Sequence, residues 1–233
     1  MRARSLAILV TGDPVANVEA RRGSFAALLE PGLRRVWEGA VVVFDARKGE
    51  LPELDALGAL VITGSPESVA SRAPWIVEAE RAVAVAVQAG VPTLGVCFGH
   101  QLLAQALGGE VAENPRGREM GTVAIELLEP DELFEGCPSP LFANMSHRDS
   151  AVRLPAEARV LARSGLEPHA AVRFAPRAWG VQFHPEFDGD VMRGYIEARE
   201  NVLTAEGIDP RSLKGEDAPA AAALLGRFAA LAR

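Results

Sequence analysis

An α/β fold is predicted for this 233-residue chain: an open, mostly parallel, doubly wound sheet with helices on both faces and a small antiparallel extension. Three features of the sequence predict it. The apolar runs of the N-terminal half are continuous rather than alternating, as strands buried on both faces are. Helix-period segments and turn-rich connectors separate them, the order that builds parallel crossovers. Past Gly108-Gly109 the texture changes to short apolar runs divided by turn residues with no convincing helix, the pattern of antiparallel strands.

In chain order, Ser5 to Val10 is a buried first strand that runs into Thr11-Gly12-Asp13-Pro14. Val18 to Leu29 reads as a helix stopped by Pro31-Gly32, and Ala40 to Phe44 as a second buried strand. After a connector (Leu51 to Leu57), Ala59 to Thr63 is a third strand, ending in Gly64-Ser65-Pro66-Glu67-Ser68. Pro74 to Ala89 is a helix with proline at its start and Gly90 at its end. A fourth strand lies in Val91 to Val96, with helical spacing from His100 onward. The extension strands are Thr122 to Leu128, Leu141 to Met145, Ala158 to Ala162, Ala170 to Phe174 and Trp179 to Phe183. Asp188 to Leu203 returns to helix, and Ala218 to Ala232 is an Ala/Leu-rich terminal helix. Between them Gly207 to Pro219 reads as a mobile surface connection. With no internal repeat and no dividing linker, one domain is expected over residues 1–205, with 206–233 a helical extension packed on it.

Composition narrows the class. The length suits one large α/β domain, and 48% hydrophobic residues support a sizeable core. A net charge of −7 argues against nucleic acid or an anionic membrane as partner. Two cysteines, Cys97 and Cys137, are too few for a disulfide framework and point to a reducing, cytoplasmic setting. The apolar stretch before Thr11 is too short for a signal peptide, and no run approaches the ~18 apolar residues of a membrane helix.

The chemistry is concentrated in Gly95-Val96-Cys97-Phe98-Gly99. Strand, Gly-x-Cys-x-Gly, helix is the thiol form of a nucleophile elbow: the glycines let the chain turn sharply, and the strained cysteine points clear of the sheet. The helix that starts there favours thiolate through its N-terminal dipole. A buried structural cysteine between incidental glycines is the alternative. A thiol nucleophile needs an imidazole base, and the imidazole needs an acceptor that fixes its tautomer. Gln182-Phe183-His184-Pro185-Glu186 offers both, with a proline that stiffens the turn. An ordinary surface His and Glu at a strand end is the competing reading. Cys97 and His184 both lie at carboxyl ends of strands, where doubly wound sheets form their sites. An oxyanion hole would take the N–H of Phe98 plus one from the Gly64-Ser65-Pro66 loop, where Ser65 has an N–H and Pro66 has none.

These residues resemble a known family. Thr63-Gly64-Ser65-Pro66-Glu67-Ser68, Gly95 to Gln101 (GVCFGHQ), Met145-Ser146-His147-Arg148-Asp149 and Gln182 to Glu186 are similar, in order and spacing, to the signature blocks of class I (triad) glutamine amidotransferases. They most resemble the glutaminase domain of GMP synthases, over roughly residues 5 to 190. The resemblance implies a flavodoxin-like open sheet with a small antiparallel extension. It implies that Cys97 attacks the side-chain amide of glutamine while His184, held by Glu186, protonates departing ammonia and then activates water on the γ-glutamyl thioester. It further implies that Gly64 and Gln101 line the substrate pocket and that the backbone around Ser146 and His147 holds the substrate's amino-acid end. No cofactor is implied. His100, His147 and His169 show no metal-ligand spacing, so no metal site is expected. Cys137 has no elbow and no nearby base. For Arg148 and Asp149, loop charges and acceptor-side contacts are both open.

The chain departs from complete GMP synthases in lacking a Ser-Gly-Gly-x-Asp-Ser pyrophosphate loop and a Gly-x-x-x-x-Gly-Lys motif. The expectation is therefore a stand-alone amidohydrolase, acting on glutamine beside a separate synthetase subunit or alone on γ-glutamyl compounds as a γ-glutamyl peptidase does. A non-catalytic regulatory module on the same fold is a third reading, and thiol esterase or DJ-1-like chemistry a weaker one.

Overall fold

The computed structural model describes residues 4–233; residues 1–3, which open the expected 1–205 domain, lie outside the described residues. The strands are β1 (Ser5–Val10), β2 (Val41–Asp45), β3 (Leu57–Ile62), β4 (Thr93–Val96), β5 (Glu110–Glu113), β6 (Glu119–Leu127), β7 (Leu141–His147), β8 (Asp149–Arg153), β9 (Arg159–Arg163), β10 (Ala171–Ala175) and β11 (Ala178–Val181). The helices are α1 (Ala16–Arg22), α2 (Phe25–Leu33), α3 (Pro74–Gln88), α4 (Phe98–Ala106), α5 (Gly189–Ala198), α6 (Glu200–Ala205) and α7 (Pro219–Leu231).

Among the described residues nine strands form one sheet in the order β2-β1-β3-β4-β11-β10-β9-β6-β7, and β5 pairs with β8 apart from it. The pairs β2-β1, β1-β3, β3-β4 and β4-β11 are parallel. From β11 outward each pair is antiparallel. The expected antiparallel extension thus continues the main sheet rather than standing beside it. Alternation along β1 shows why the strand is apolar throughout. Leu6 and Ile8 pack with Leu29 and Leu33 of α2 and Leu225 and Phe228 of α7. Ala7 and Leu9 face the other way, toward Ile76 and Val83 of α3 and Leu102 of α4. Both faces are covered, as a doubly wound sheet requires.

Several expectations are corrected. The helix read over Val18 to Leu29 is two helices, because Gly23 takes φ 82° and Ser24 caps α2 by accepting from the Ala27 amide at 3.3 Å. Pro31 does not stop α2, which runs through it to Leu33. The second strand is not buried: β2 is the sheet edge, with Val42 and Val43 exposed. Asp188 to Leu203 breaks at Arg199 into α5 and α6. The Gly207 to Pro219 connection is pinned, since the Thr122 amide donates to the Lys214 carbonyl at 2.7 Å and Asp217 accepts from the Gly189 amide at 2.8 Å. Strands β5 and β8, short and half polar, went unread in the sequence. No helix of the described residues is long and apolar enough to cross a membrane.

Candidate active site

The elbow is built by close approach. Cys97 stands between β4 and α4 with φ 51° and ψ −102°, a conformation costing about 1–3 kcal/mol in a non-glycine residue. A Cβ on Gly95 would lie 2.3 Å from the Gly99 carbonyl oxygen, and one on Gly99 would lie 2.4 Å from that of Ile62. Only hydrogen at both positions lets α4 start this close to β3 and β4. The Gly99 amide donates to the Thr63 carbonyl at 3.1 Å and the Cys97 amide to the Val181 carbonyl at 2.8 Å, so the turn is held from both neighbouring strands.

His184 arrives from the adjacent strand. Val96 and Val181 are register partners in the parallel pair β4-β11, so the chain leaves both strands at the same end of the sheet. The His184 amide donates to the Asn144 carbonyl at 2.8 Å, fastening the turn to β7. Its ring stacks on Phe187 with centroids 4.0 Å apart and, more loosely, on Phe25 at 6.2 Å. Nδ1 lies 2.7 Å from Glu186 Oε1, which leaves Nε2 for the sulfur side. Burial of the imidazole opposes its charging. The Glu186 carboxylate and then the Cys97 sulfur, both within interaction range, outweigh that and push the His184 pKa up to about 10. Glu186 Oε2 is buried with no partner. Tyr195, packed at 4.7 Å on Phe187, is raised above the ordinary phenol range by burial and then by the Glu186 charge.

The loop after β3 passes over this ring: a Cβ on Gly64 would lie 2.9 Å from His184 Cε1. Thr11, at the end of β1, holds the loop by donating from Oγ1 to the Gly64 carbonyl at 3.0 Å. Ser65, Phe98, Gln101, Ser146 and His147 line, with Cys97, a cleft of about 280 Å³. Larger clefts of about 420 and 870 Å³ lie elsewhere and do not include the cysteine, so chemistry rather than size marks the site.

Within the cleft wall Gln101 Nε2 donates to the Asp149 carbonyl at 2.8 Å and to Gln182 Oε1 at 3.0 Å. Asp149 also accepts from the Ser68 hydroxyl, tying the loop after β3 to the start of β8. The His147 ring is turned inward, with Nδ1 on the Asp149 carbonyl at 3.0 Å and Nε2 3.5 Å from Glu119. His147 therefore faces the cleft with backbone alone.

The remaining histidines stand apart. His100 is fully buried, and desolvation holds it down at about 3. His169 bonds the Ala151 carbonyl at 2.7 Å. Among the described residues no group of three or more His, Cys, Asp or Glu is placed to hold a metal ion. Cys137 is half-buried, and burial pushes its thiol up.

Sequence reasoning missed Asn144, Phe187, Gln182, Arg118 and Arg199. Asn144 interrupts the apolar run of β7, its one signal, whereas Gln182 opens the Gln182 to Glu186 block, which did not show its bond to Gln101. The two arginines lie outside the motif blocks and reach the cleft through tertiary folding.

Comparison with known proteins gives the chain's family and fold. Residues 24–200 match the family model described as glutamine amidotransferase class-I. The chain is 44% identical to a glutamine-hydrolyzing GMP synthase of Aeropyrum pernix over 140 residues, 57% of this chain and 26% of that one. It is 45% identical to one subunit of the glutamine-hydrolyzing GMP synthase of Pyrococcus abyssi over 97 residues, 41% of this chain and 51% of that one. The matches thus span about a quarter of the full-length synthases and half of the subunit. In fold it is similar to a glutamine amidotransferase of Thermotoga maritima, with TM-score 0.75 and 22% identity over 99% of this chain and 97% of that one. A glutamine amido transferase of Methylobacillus flagellatus gives 0.67 and 21% over 97% and 91%.

Proposed function

The chain belongs to the class-I glutamine amidotransferase family, and from that premise we propose that it hydrolyses the side-chain amide of glutamine through a Cys97-His184-Glu186 triad. With the proton already held on His184 Nε2, as its raised pKa favours, the Cys97 sulfur adds to the amide carbon. The N–H groups of Phe98 and Ser65 receive the oxyanion. The intermediate collapses with its C–N bond breaking, and the departing nitrogen takes the proton from His184 and leaves as ammonia. Water then loses a proton to His184 and attacks the γ-glutamyl thioester; the C–S bond breaks, and the sulfur leaves beside the proton now on His184. Glu186 holds Nδ1–H throughout, fixing the tautomer that leaves Nε2 free. Gly64, Gln101 and the backbone at Ser146 and His147 shape the acyl pocket.

The observation that supports the reading is His184, 2.7 Å from Glu186 Oε1 and three residues past the strand end that neighbours that of Cys97, with its pKa raised by Glu186 and then by the Cys97 sulfur. Its test is ammonia release from glutamine by the wild type and by Cys97→Ala. Release from the wild type that Cys97→Ala abolishes is expected, and equal release from both ends the proposal. One relative is itself a subunit of a GMP synthase, and on that ground the proposed taker of the ammonia is a separate synthetase subunit. The alternative substrate, a γ-glutamyl conjugate, is separated by comparing kcat/KM for glutamine and γ-glutamyl dipeptides. The free thiols of Cys97 and Cys137 fit a reducing, cytoplasmic compartment.

A further inference from the structure

Thr11 and Thr63, at the ends of β1 and β3, are both fully buried, and their hydroxyl oxygens stand 3.1 Å apart. Each reaches the Gly64 carbonyl, Thr11 Oγ1 at 3.0 Å and Thr63 Oγ1 at 2.9 Å. Thr11 Oγ1 also reaches the Thr63 carbonyl at 3.0 Å, but that oxygen already accepts from the Gly99 amide. The Gly64 carbonyl has no other donor among the described residues. A buried carbonyl without a donor is costly, so these two hydroxyls decide which way the Gly64–Ser65 peptide faces.

That peptide is trans and planar, with C=O and N–H on opposite edges. With the carbonyl turned onto the threonines, the Ser65 N–H is turned away from them. It has no acceptor among the described residues, and Ser65 lines the cleft with Cys97 and Phe98. The loop also rests on bare backbone. A Cβ on Gly12 would lie 2.6 Å from Pro66 Cδ and 2.7 Å from Ser65 Cα. Farther along, Ser68 donates to Asp149 of β8. A half-turn of the peptide would strip the carbonyl of both hydroxyls and aim its oxygen, in place of the N–H, at the cleft.

We infer that Thr11 is a positioning residue whose hydroxyl, with that of Thr63 beside it, holds the Gly64–Ser65 peptide with its N–H toward the forming oxyanion and its carbonyl away. The inference rests on the proposal that Cys97 attacks a glutamine amide and that the Ser65 N–H receives the oxyanion. Thr11 itself does not line the cleft, and it acts through the peptide it holds.

The test compares wild type, Thr11→Val and Thr11→Ser for kcat and KM of ammonia release from glutamine. Thr11→Val puts a methyl where the hydroxyl was and leaves the Thr11 amide on Thr63 Oγ1, its acceptor at 3.0 Å. The rate of Cys97 alkylation by iodoacetamide is measured beside it by intact mass. That displacement builds no charge on a carbonyl oxygen, so it reports the sulfur alone. Because Thr63 still reaches Gly64, Thr11→Val is expected to lower kcat about 10- to 100-fold, less than the about 10²–10³-fold loss of a whole oxyanion donor. KM and the alkylation rate are expected to stay near wild type, and Thr11→Ser, which keeps the hydroxyl, to recover most of kcat. A wild-type kcat in Thr11→Val overturns the assignment, as does a rise in KM alone. Alkylation slowed as much as kcat, or a Thr11→Ser as slow as Thr11→Val, overturns it too, by making Thr11 a structural residue. Thr11→Ala, which drops the same hydroxyl, is read in the same way if Thr11→Val does not fold. A wild type whose Cys97 takes iodoacetamide but which releases no ammonia instead sinks the underlying glutaminase reading, and this inference with it.

Discussion

The amide of Cys97 donates to the carbonyl of Val181 at 2.8 Å, pairing the candidate nucleophile's own backbone with the strand that delivers the candidate base. Three residues past Val181 stands His184, and the Asn144 carbonyl anchors its amide in turn. The sulfur and the imidazole are therefore positioned by the hydrogen-bond ladder of the sheet, the most rigid part of an α/β fold.

The elbow depends on two absent methyl groups. Gly99→Ala places a Cβ 2.4 Å from the Ile62 carbonyl oxygen, a backbone atom that moves only if β3 moves. The substitution is expected to destabilise the chain by about 1–3 kcal/mol and to abolish ammonia release. Thermal unfolding and a glutaminase assay check both, and wild-type behaviour in either refutes the steric argument.

The His184 pKa sets a pH dependence of stability. Its folded value of about 10 lies above the ordinary 6.5, so its contribution is complete below pH 6.5 and is lost as pH rises through 10. The melting temperature of the wild type is expected to fall across that interval. Glu186→Gln removes the main charge that raises His184, leaves burial to act, and moves the decline to lower pH. Identical melting profiles for wild type and Glu186→Gln count against the coupling.

Asn144 fastens the base-bearing turn with its side chain as well. Nδ2 donates to the Phe187 carbonyl at 2.8 Å, and Oδ1 accepts from the Thr122 hydroxyl at 2.7 Å. Asn144→Ala takes the side-chain donor from the Phe187 carbonyl, in a bond that is buried, and is expected to cost about 1–3 kcal/mol. Because Phe187 stacks on His184, kcat should fall more than KM rises; a KM effect alone argues against the positioning role.

Phe228 of α7 is fully buried, with its ring edge-on to Trp179 of β11 at 6.2 Å. Phe228→Ala is expected to lower stability by about 3–5 kcal/mol, read from denaturant unfolding. A loss below ~1 kcal/mol means that α7 is dispensable to the core.

The sequence made the parallel half and the elbow legible, because buried strands are apolar throughout and Gly-x-Cys-x-Gly admits few backbones. It misread β2, whose Val42 and Val43 look like core residues and are exposed at an edge. Periodicity does not say which strand stands last in the order. It also ran α1 into α2, weighing Pro31 above the Gly23-Ser24 break that the backbone uses. The candidate triad was readable from local motifs. Asn144 was not, because its partners Thr122, His184 and Phe187 are remote in sequence, and Phe187, one residue past the block, reads as an ordinary core aromatic until its ring is seen on His184.

The sheet order also bears on how the chain assembles. β11 is the last strand made, yet it fills the seam between β4 and β10. Until it is synthesised, a parallel block and an antiparallel block each present an unpaired edge, the kind of surface on which nascent chains stick to one another. Closing that seam is a long-range, slow event. The same closure carries the candidate base to the candidate nucleophile, so on the proposed mechanism a half-made chain is both prone to association and chemically silent, and one step ends both conditions.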